Sequence, residues 1–441
     1  MVRLVHRDGA ARATRLSALR AALGDCDTWD AKYETFEKAI RHYFHGEPWP
    51  PEDGARFFPK VRTLRDAIRA YEEQIASRDA FFERVLPAIL LAAEDPRAPS
   101  EFDAPGARAT LPRSHLASWL SNAFLLNAPR GSALDWLGGG SDPIYVSGAR
   151  IAPQKLMLLL AYFDALAENA DVGGDIQIER ARCAPAAQPP VSLAGRSTCA
   201  IDLRAGSAEA HEAADATALV VNASATGLGG GALRGSTADD EEVALLCFCE
   251  AIACTPLLAA PLADDEAYVL RGLRRTAFAA GSAHQLRFDR RAAGTEPPCT
   301  LVAIDAARVP GCAQFAAPNI DRELRKLSAA LEALRGGGVV VSGLWGSGGY
   351  GGAQPVLRLL LLALGAARAG VALRVVVPSA PATDRWFAGV LAELRARNQE
   401  PDALRQLLDE APQTPKMLEV PAFASYAIRA MRGGAKRERP P

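Results

Sequence analysis

No stretch of this chain reaches the roughly 18 uninterrupted apolar residues of a membrane span. The longest apolar run, VLRLLLLALGAARAGVALRVVV at 356–377, is broken by Arg358, Arg368, Arg374 and two glycines. It reads as a buried helix followed by a strand. The first two dozen residues have no apolar core of signal-peptide length, so an intracellular protein, nuclear or cytoplasmic, is expected. A charge excess is missing too, since 50 Lys and Arg stand against 51 Asp and Glu. Without a broad basic face, neither a membrane nor sequence-specific nucleic acid is the expected partner. A disulfide framework is also absent: the eight cysteines have no regular spacing. Cys247, Cys249 and Cys254 lie close together and suggest a metal site. However, no His sits nearby, and residues two apart on a helix point to different sides. Free cysteine packs as a small apolar residue, so these three are expected in a core, and neither a metal nor a cofactor is expected. Scattered thiols also suit a reducing compartment.

What is present is an ordinary globular composition over 441 residues, 49% hydrophobic and 23% charged, enough for two or three domains. Residues 1–170 read as an all-α accessory domain. TLRDAIRAYEEQIASRDAFFERVLPAILLAAED, LPRSHLASWLSNAFLLNAP and APQKLMLLLAYFDALAENA carry apolar residues at helical spacing, separated by loops such as GEPWPPEDG. From about 171 to 415 the pattern changes. Short β-branched runs (DIQIERARC, TCAIDLR, ATALVVNAS, AYVLRG, CTLVAIDA, GGVVVSG, LRVVVPS) alternate with longer helical ones. That alternation predicts an α/β fold with a mixed, largely parallel sheet flanked by helices. Residues 416–441 are expected to be a C-terminal segment ending in a disordered polar tail, RGGAKRERPP.

Ligands of such sheets collect at the carboxyl ends of the strands, and two glycine-rich stretches follow predicted strands. GLWGSGGYGG, 343–352, holds six glycines in ten residues and leads to a helix marked by Pro355. Glycine lets backbone N–H groups turn toward a ligand, and a helix N-terminus adds partial positive charge, so a phosphate or diphosphate suits it. No Lys-Ser/Thr pair follows, which excludes a Walker A loop. Gly346, Gly348 and Gly351 form GxGxxG, yet LRVVVPSAP offers no acid for a ribose, so a nicotinamide site is poorly supported. The other stretch, GLGGGALRGSTADDEE at 227–242, joins three glycines to four acids. Acids in a helix's first turn stabilise it by roughly 0.3–1 kcal/mol each, with Ser236 or Thr237 as the expected cap. Four in a row exceed that need and repel one another. A glutamate among apolar walls can have its pKa raised and act as a general acid.

These stretches resemble the poly(ADP-ribose) glycohydrolase family. GGGALRGSTADDEE is similar to its signature of three glycines, six to eight residues and Gln-Glu-Glu. GLWGSGGYGG is similar to its diphosphate loop, which also follows a strand and carries a Trp. LPRSHLASWLSNAFLLNAP, FFERVLPAILLAA and LVAIDAARVPGCAQFAAPNIDRELRKL resemble further family segments, in the right order, over roughly residues 80 to 410. The resemblance implies a macrodomain behind a helical accessory domain, acting as a monomer on poly(ADP-ribose) or ADP-ribosylated proteins without a metal. It places Glu242 as the acid/base, Glu241 on the ribose hydroxyls, and Asp240 on the signature Gln. Gly229, Gly230 and Gly231 would make room for the terminal ribose and its phosphates. Gly346, Ser347, Gly348, Gly349, Tyr350 and Gly351 would hold the diphosphate. The chain departs from the family pattern at several positions. Asp240 replaces Gln, Asn222 falls on a family Asp, and Ala225 on a ribose-binding Asn. Leu344 replaces Asn, and Ser282 takes the place of the adenine-stacking Tyr, where Phe278 or Tyr350 would have to cover the base instead. The competing readings are a macrodomain that binds ADP-ribose without efficient turnover and, further off, a nicotinamide-dependent oxidoreductase.

Overall fold

The computed structural model describes residues 9–45, 61–75, 77–94, 108–125, 144–145, 147–168, 173–183, 201–206, 213, 215–223, 228, 231–236, 238–258, 261–289, 297–336, 338–347, 353–378, 381–396 and 401–433. Six helices come first: α1 (Gly9–Gly24), α2 (Trp29–His45), α3 (Arg62–Gln74), α4 (Leu86–Ala93), α5 (Arg113–Phe124) and α6 (Ala152–Glu168). The long helical pattern over 63–95 is broken. Asp79 takes a left-handed φ of 65°, and the chain restarts as a π-turn, Phe81–Val85, before α4. The buried Glu72 bridges the break, accepting from Phe81 N at 3.0 Å and from Trp29 Nε1 at 3.0 Å.

One strand interrupts this region. β1 (Arg108–Pro112) pairs antiparallel with β2 (Asp175–Arg182). The expectation of an all-α stretch up to residue 170 is therefore corrected by one strand. RATLP does alternate, with Ala109 and Leu111 set between Arg108, Thr110 and Pro112, but two apolar residues are too short a run to mark a strand within a helical region.

The remaining strands are β3 (Ile201–Gly206), β4 (Ala218–Ala223), β5 (Glu266–Leu273), β6 (Phe278–Ala280), β7 (Arg287–Asp289), β8 (Cys299–Asp305), β9 (Val339–Ser342) and β10 (Ala372–Pro378). The main sheet runs β1-β2-β5-β8-β4-β9-β10-β3, and β6 pairs with β7 in a separate hairpin. The five strands from β8 to β3 are parallel, and β5, β2 and β1 are added antiparallel at one edge. The sheet is thus mixed and largely parallel, as the strand–helix alternation predicts.

Alternation along the central strands loads both faces. Leu219 and Val221 of β4 and Leu301 and Ala303 of β8 join one core with α3 to α6 and with α7 (Asp240–Cys247) and α8 (Cys249–Cys254). Val220, Val302 and Ile304 join the other with α9 (Ala317–Glu332), α10 (Pro355–Ala369), α11 (Pro381–Ala396), α12 (Pro401–Asp409) and α13 (Val420–Met431). A strand buried on both faces needs apolar residues at successive positions, which LVAI of β8 and ALVV of β4 supply.

α13 buries Phe423, Ala424 and Ala427 in the second core, so the C-terminal segment is part of the sheet's helical cover as far as Met431. Most of the polar tail lies outside the described residues. Cys247, Cys249 and Cys254 are fully enclosed in the first core, and burial pushes the Cys254 thiol up. Among the described residues, no helix is long and apolar enough to cross a membrane.

Candidate active site

Because β8, β4 and β9 are parallel, their carboxyl ends lie on one edge of the sheet. The first acid-rich stretch comes to this edge as the start of α7. Its cap is Asp239, which corrects the expected Ser236 or Thr237. Glu242, three residues on, returns its side chain in a capping box, and its Oε2 accepts from Asp239 N at 2.9 Å. Asp240, Glu241 and Glu242 occupy the first turn. α7 and α8 are separated at Phe248, whose φ of −120° and ψ of 67° leave the helical region.

Gly231 is the described member of the glycine triplet, and its reason for being glycine is steric. A Cβ there would lie 2.7 Å from Glu242 Oε1. The carboxyl of the candidate acid therefore presses against bare backbone, one oxygen on a helix-capping N–H and the other at the glycine. Burial raises the Glu242 pKa above the ordinary glutamate value. Hydrogen bonds from backbone N–H groups oppose the rise, Asp239 reinforces it, and Lys155 opposes it.

Lys155 comes from α6 and is fully enclosed. Its Nζ donates to Gly231 O at 2.9 Å and Arg234 O at 2.7 Å. Its neighbour Gln154 accepts from Phe288 N of the β6–β7 hairpin at 2.8 Å. The hairpin tip in turn meets the head of α7, where Ala283 N donates to Ala238 O at 2.5 Å. Ser282 is the next residue back and only partly buried, so it stands beside the site. Phe278 is enclosed in the core, with the Arg275 guanidinium 4.8 Å from its ring centre. It is not available to cover a base, which corrects that expectation.

The second stretch begins at the end of β9. A Cβ on Gly343 would be 3.6 Å from Asp240 Oδ2, so the two stretches face one another across the strand ends. Trp345 is buried and donates from Nε1 to Ile304 O at 3.1 Å. Arg358, from the first turn of α10, lies 5.0 Å from the Trp345 ring centre and pairs with Glu323 of α9. Glu323 also accepts from Arg322 at 2.9 Å, and Arg322 pairs with Asp305 at the end of β8. Lys326 reaches Asp305 at 2.5 Å.

Gly346 sits on this network with a left-handed φ of 75°, and a Cβ there would meet Ala306 Cβ at 2.6 Å. Its glycine is thus accounted for by backbone conformation and packing. Ser347 Oγ turns back to Leu344 O at 2.6 Å.

In β4, Asn222 lies opposite Ile304, yet it is exposed while the rest of its strand is buried. It is a polar, exposed residue at the carboxyl end of a central strand. The structure thus gathers Asn222, Gly231, Asp240, Glu241, Glu242, Ser282, Gly346 and Ser347 around one edge. Gly229, Gly230, Gly348, Gly349, Tyr350, Gly351 and Ala225 lie outside the described residues. Sequence reasoning counted Asp239 among the four acids without its role as cap, and missed Gln154 and Lys155. The only local signal for Lys155 was one charge inside an otherwise apolar helix, IAPQKLMLLLAYF. Among the described residues, no group of three or more His, Cys, Asp or Glu could hold a metal ion.

Residues 195–382 match a family model described as poly(ADP-ribose) glycohydrolase (PARG), macro domain fold. The matched range contains both glycine-rich stretches, the acids of α7 and the parallel part of the sheet. None of the curated proteins matches the chain.

Proposed function

We propose that this chain, whose residues 195–382 match the poly(ADP-ribose) glycohydrolase family model, hydrolyses the ribose–ribose O-glycosidic bonds of poly(ADP-ribose) and releases ADP-ribose. Glu242 is the general acid and base. The carrying observation is its carboxyl, partly buried, raised in pKa and pressed against Gly231. With Oε2 engaged by Asp239 N, Oε1 is the oxygen left to carry the proton. Glu242 gives that proton to the leaving ribose oxygen as the glycosidic C–O bond breaks and the remaining sugar becomes an oxocarbenium ion. The carboxylate then takes a proton from the water that attacks this ion, so the acid is restored. Glu241 binds ribose hydroxyls, Asn222 and Ser282 contact substrate at the rim, and residues 346–351 carry the diphosphate.

A second reading has its own support. The Glu242 carboxylate also serves as a helix cap, and a glutamate kept for capping alone would leave a macrodomain that binds ADP-ribose without turning it over. Glu242→Gln separates the two, because the amide retains the cap and the shape and loses only the transferable proton. With labelled poly(ADP-ribose), the variant should lose roughly 10²–10⁴-fold in turnover, while ADP-ribose binding by calorimetry stays close to wild type. A variant that still releases ADP-ribose at the wild-type rate removes Glu242 as the acid. A wild type that binds and releases nothing is the binding module.

A further inference from the structure

Two consecutive residues of α6 reach opposite walls of the site: Gln154 holds the hairpin that carries Ser282, and Lys155 holds the glycine turn. Lys155 is the more telling of the two. An ammonium with no solvent exposure is costly unless its donors are used, and an apolar side chain of similar volume would fill the same space without that cost. The two carbonyls it contacts bracket a turn already closed by Arg234 N donating to Gly231 O at 3.1 Å. One of them belongs to the glycine against which the Glu242 carboxyl rests.

We propose that Lys155 is a positioning residue for the acid. From the helical region it clamps the Gly231–Arg234 turn and so fixes where the Glu242 carboxyl sits relative to the glycine backbone. The proposal rests on the reading of Glu242 as the general acid. It makes α6 part of the site although the helix lies outside the residues that match the family model. The lysine's charge acts in the same place. Burial and Asp239 raise the acid's pKa, and Lys155 holds it down. The other titratable and charged groups on the elements that meet there are Asp240, Glu241 and Cys247 on α7, Arg234 on the turn, His284, Arg287 and Asp289 on the hairpin, and Tyr162, Asp164 and Glu168 on α6; Arg234 and His284 are exposed.

The test uses Lys155→Gln, which removes the charge and keeps a donor, and Lys155→Arg, which keeps the charge. Folding is followed by thermal unfolding. The Glu242 carboxyl is titrated by NMR in protein with ¹³C-labelled glutamate, assigned against Glu242→Gln. Rates on poly(ADP-ribose) are measured across pH. In Lys155→Gln the Glu242 midpoint should rise, the basic limb of the kcat profile should move to higher pH, and kcat should fall roughly 10- to 100-fold with KM little changed. Lys155→Arg should return the limb toward its wild-type position.

A folded Lys155→Gln protein with unchanged Glu242 titration and unchanged kcat overturns the proposal. So does failure of both variants to fold, since the lysine would then be a determinant of the fold and not of the site. If the wild type releases no ADP-ribose, the functional reading fails on that result, and the Glu242 titration still decides the role of Lys155.

Discussion

The two glycine-rich stretches look alike in sequence and are built on different physics. At Gly231 the absent Cβ is space for a functional group, because the neighbour is the carboxyl end of the Glu242 side chain. At Gly346 the absent Cβ answers a left-handed backbone and a fixed neighbour, Ala306. Their supports differ as well. One buried lysine from the helical region holds the first turn. A chain of ion pairs, Arg358–Glu323–Arg322–Asp305–Lys326, underlies the second. A run of glycines is therefore not a single signal, since one glycine can mark a site and another a turn that supports it.

Breaking the second support should have the largest effect on stability. Glu323→Leu leaves Arg358 buried without its carboxylate, and removing one partner of a buried pair typically costs about 3–5 kcal/mol. Urea unfolding should show that loss, and ADP-ribose affinity should fall with it. A loss confined to a few tenths would mean that the network does not support the loop.

The two glycines can then be compared directly. Gly346→Ala should destabilise by roughly 1–3 kcal/mol through strain at positive φ and contact with Ala306. Gly231→Ala should leave the melting temperature nearly unchanged, because only the end of the Glu242 side chain must move. Its turnover should fall by about 10²-fold, since displacing a reacting group by an ångström has that consequence. Equal effects of the two substitutions on stability and turnover would erase the distinction.

A smaller effect is expected at the rim. Ser282→Tyr should restore a ring beside the head of α7, and base–aromatic stacking contributes roughly 1–3 kcal/mol. ADP-ribose affinity should rise with no matching gain for ribose-5-phosphate. Equal affinities in the two proteins would place the base elsewhere.

The smallest effect is a pH dependence of stability. The Glu242 pKa is higher in the fold than in the unfolded chain, so the folded state binds its proton more tightly. That contribution is fully present below the ordinary glutamate value and is lost as pH rises from there through the raised folded value. Stability of the wild type should decline across this window relative to Glu242→Gln, which has no such proton. Parallel pH–stability curves for the two proteins would count against a raised pKa.

The order of strands and helices was legible in the sequence because it depends on local periodicity. ALVV, LVAI and VVV are apolar at successive positions, and a parallel strand covered on both faces requires this. The meeting of both glycine stretches at one edge also followed, since parallel strands end on the same side. The acids at the head of a helix were legible for the same reason.

Other features depend on residues far apart in the chain, and no local pattern carries them. RATLP alternates too briefly to mark a strand, and its pairing with β2 makes it one. The cap passed from Ser236 or Thr237 to Asp239 because Glu242 could close the box with it. Gly346 and Gly231 were interchangeable as letters until Ala306 and Glu242 were set against them. Lys155 was one charge in an apolar helix until folding brought it 76 residues along the chain to Gly231. A buried ammonium is tolerated only where acceptors meet it, and where the carbonyls that meet Lys155 stand is decided by tertiary packing alone.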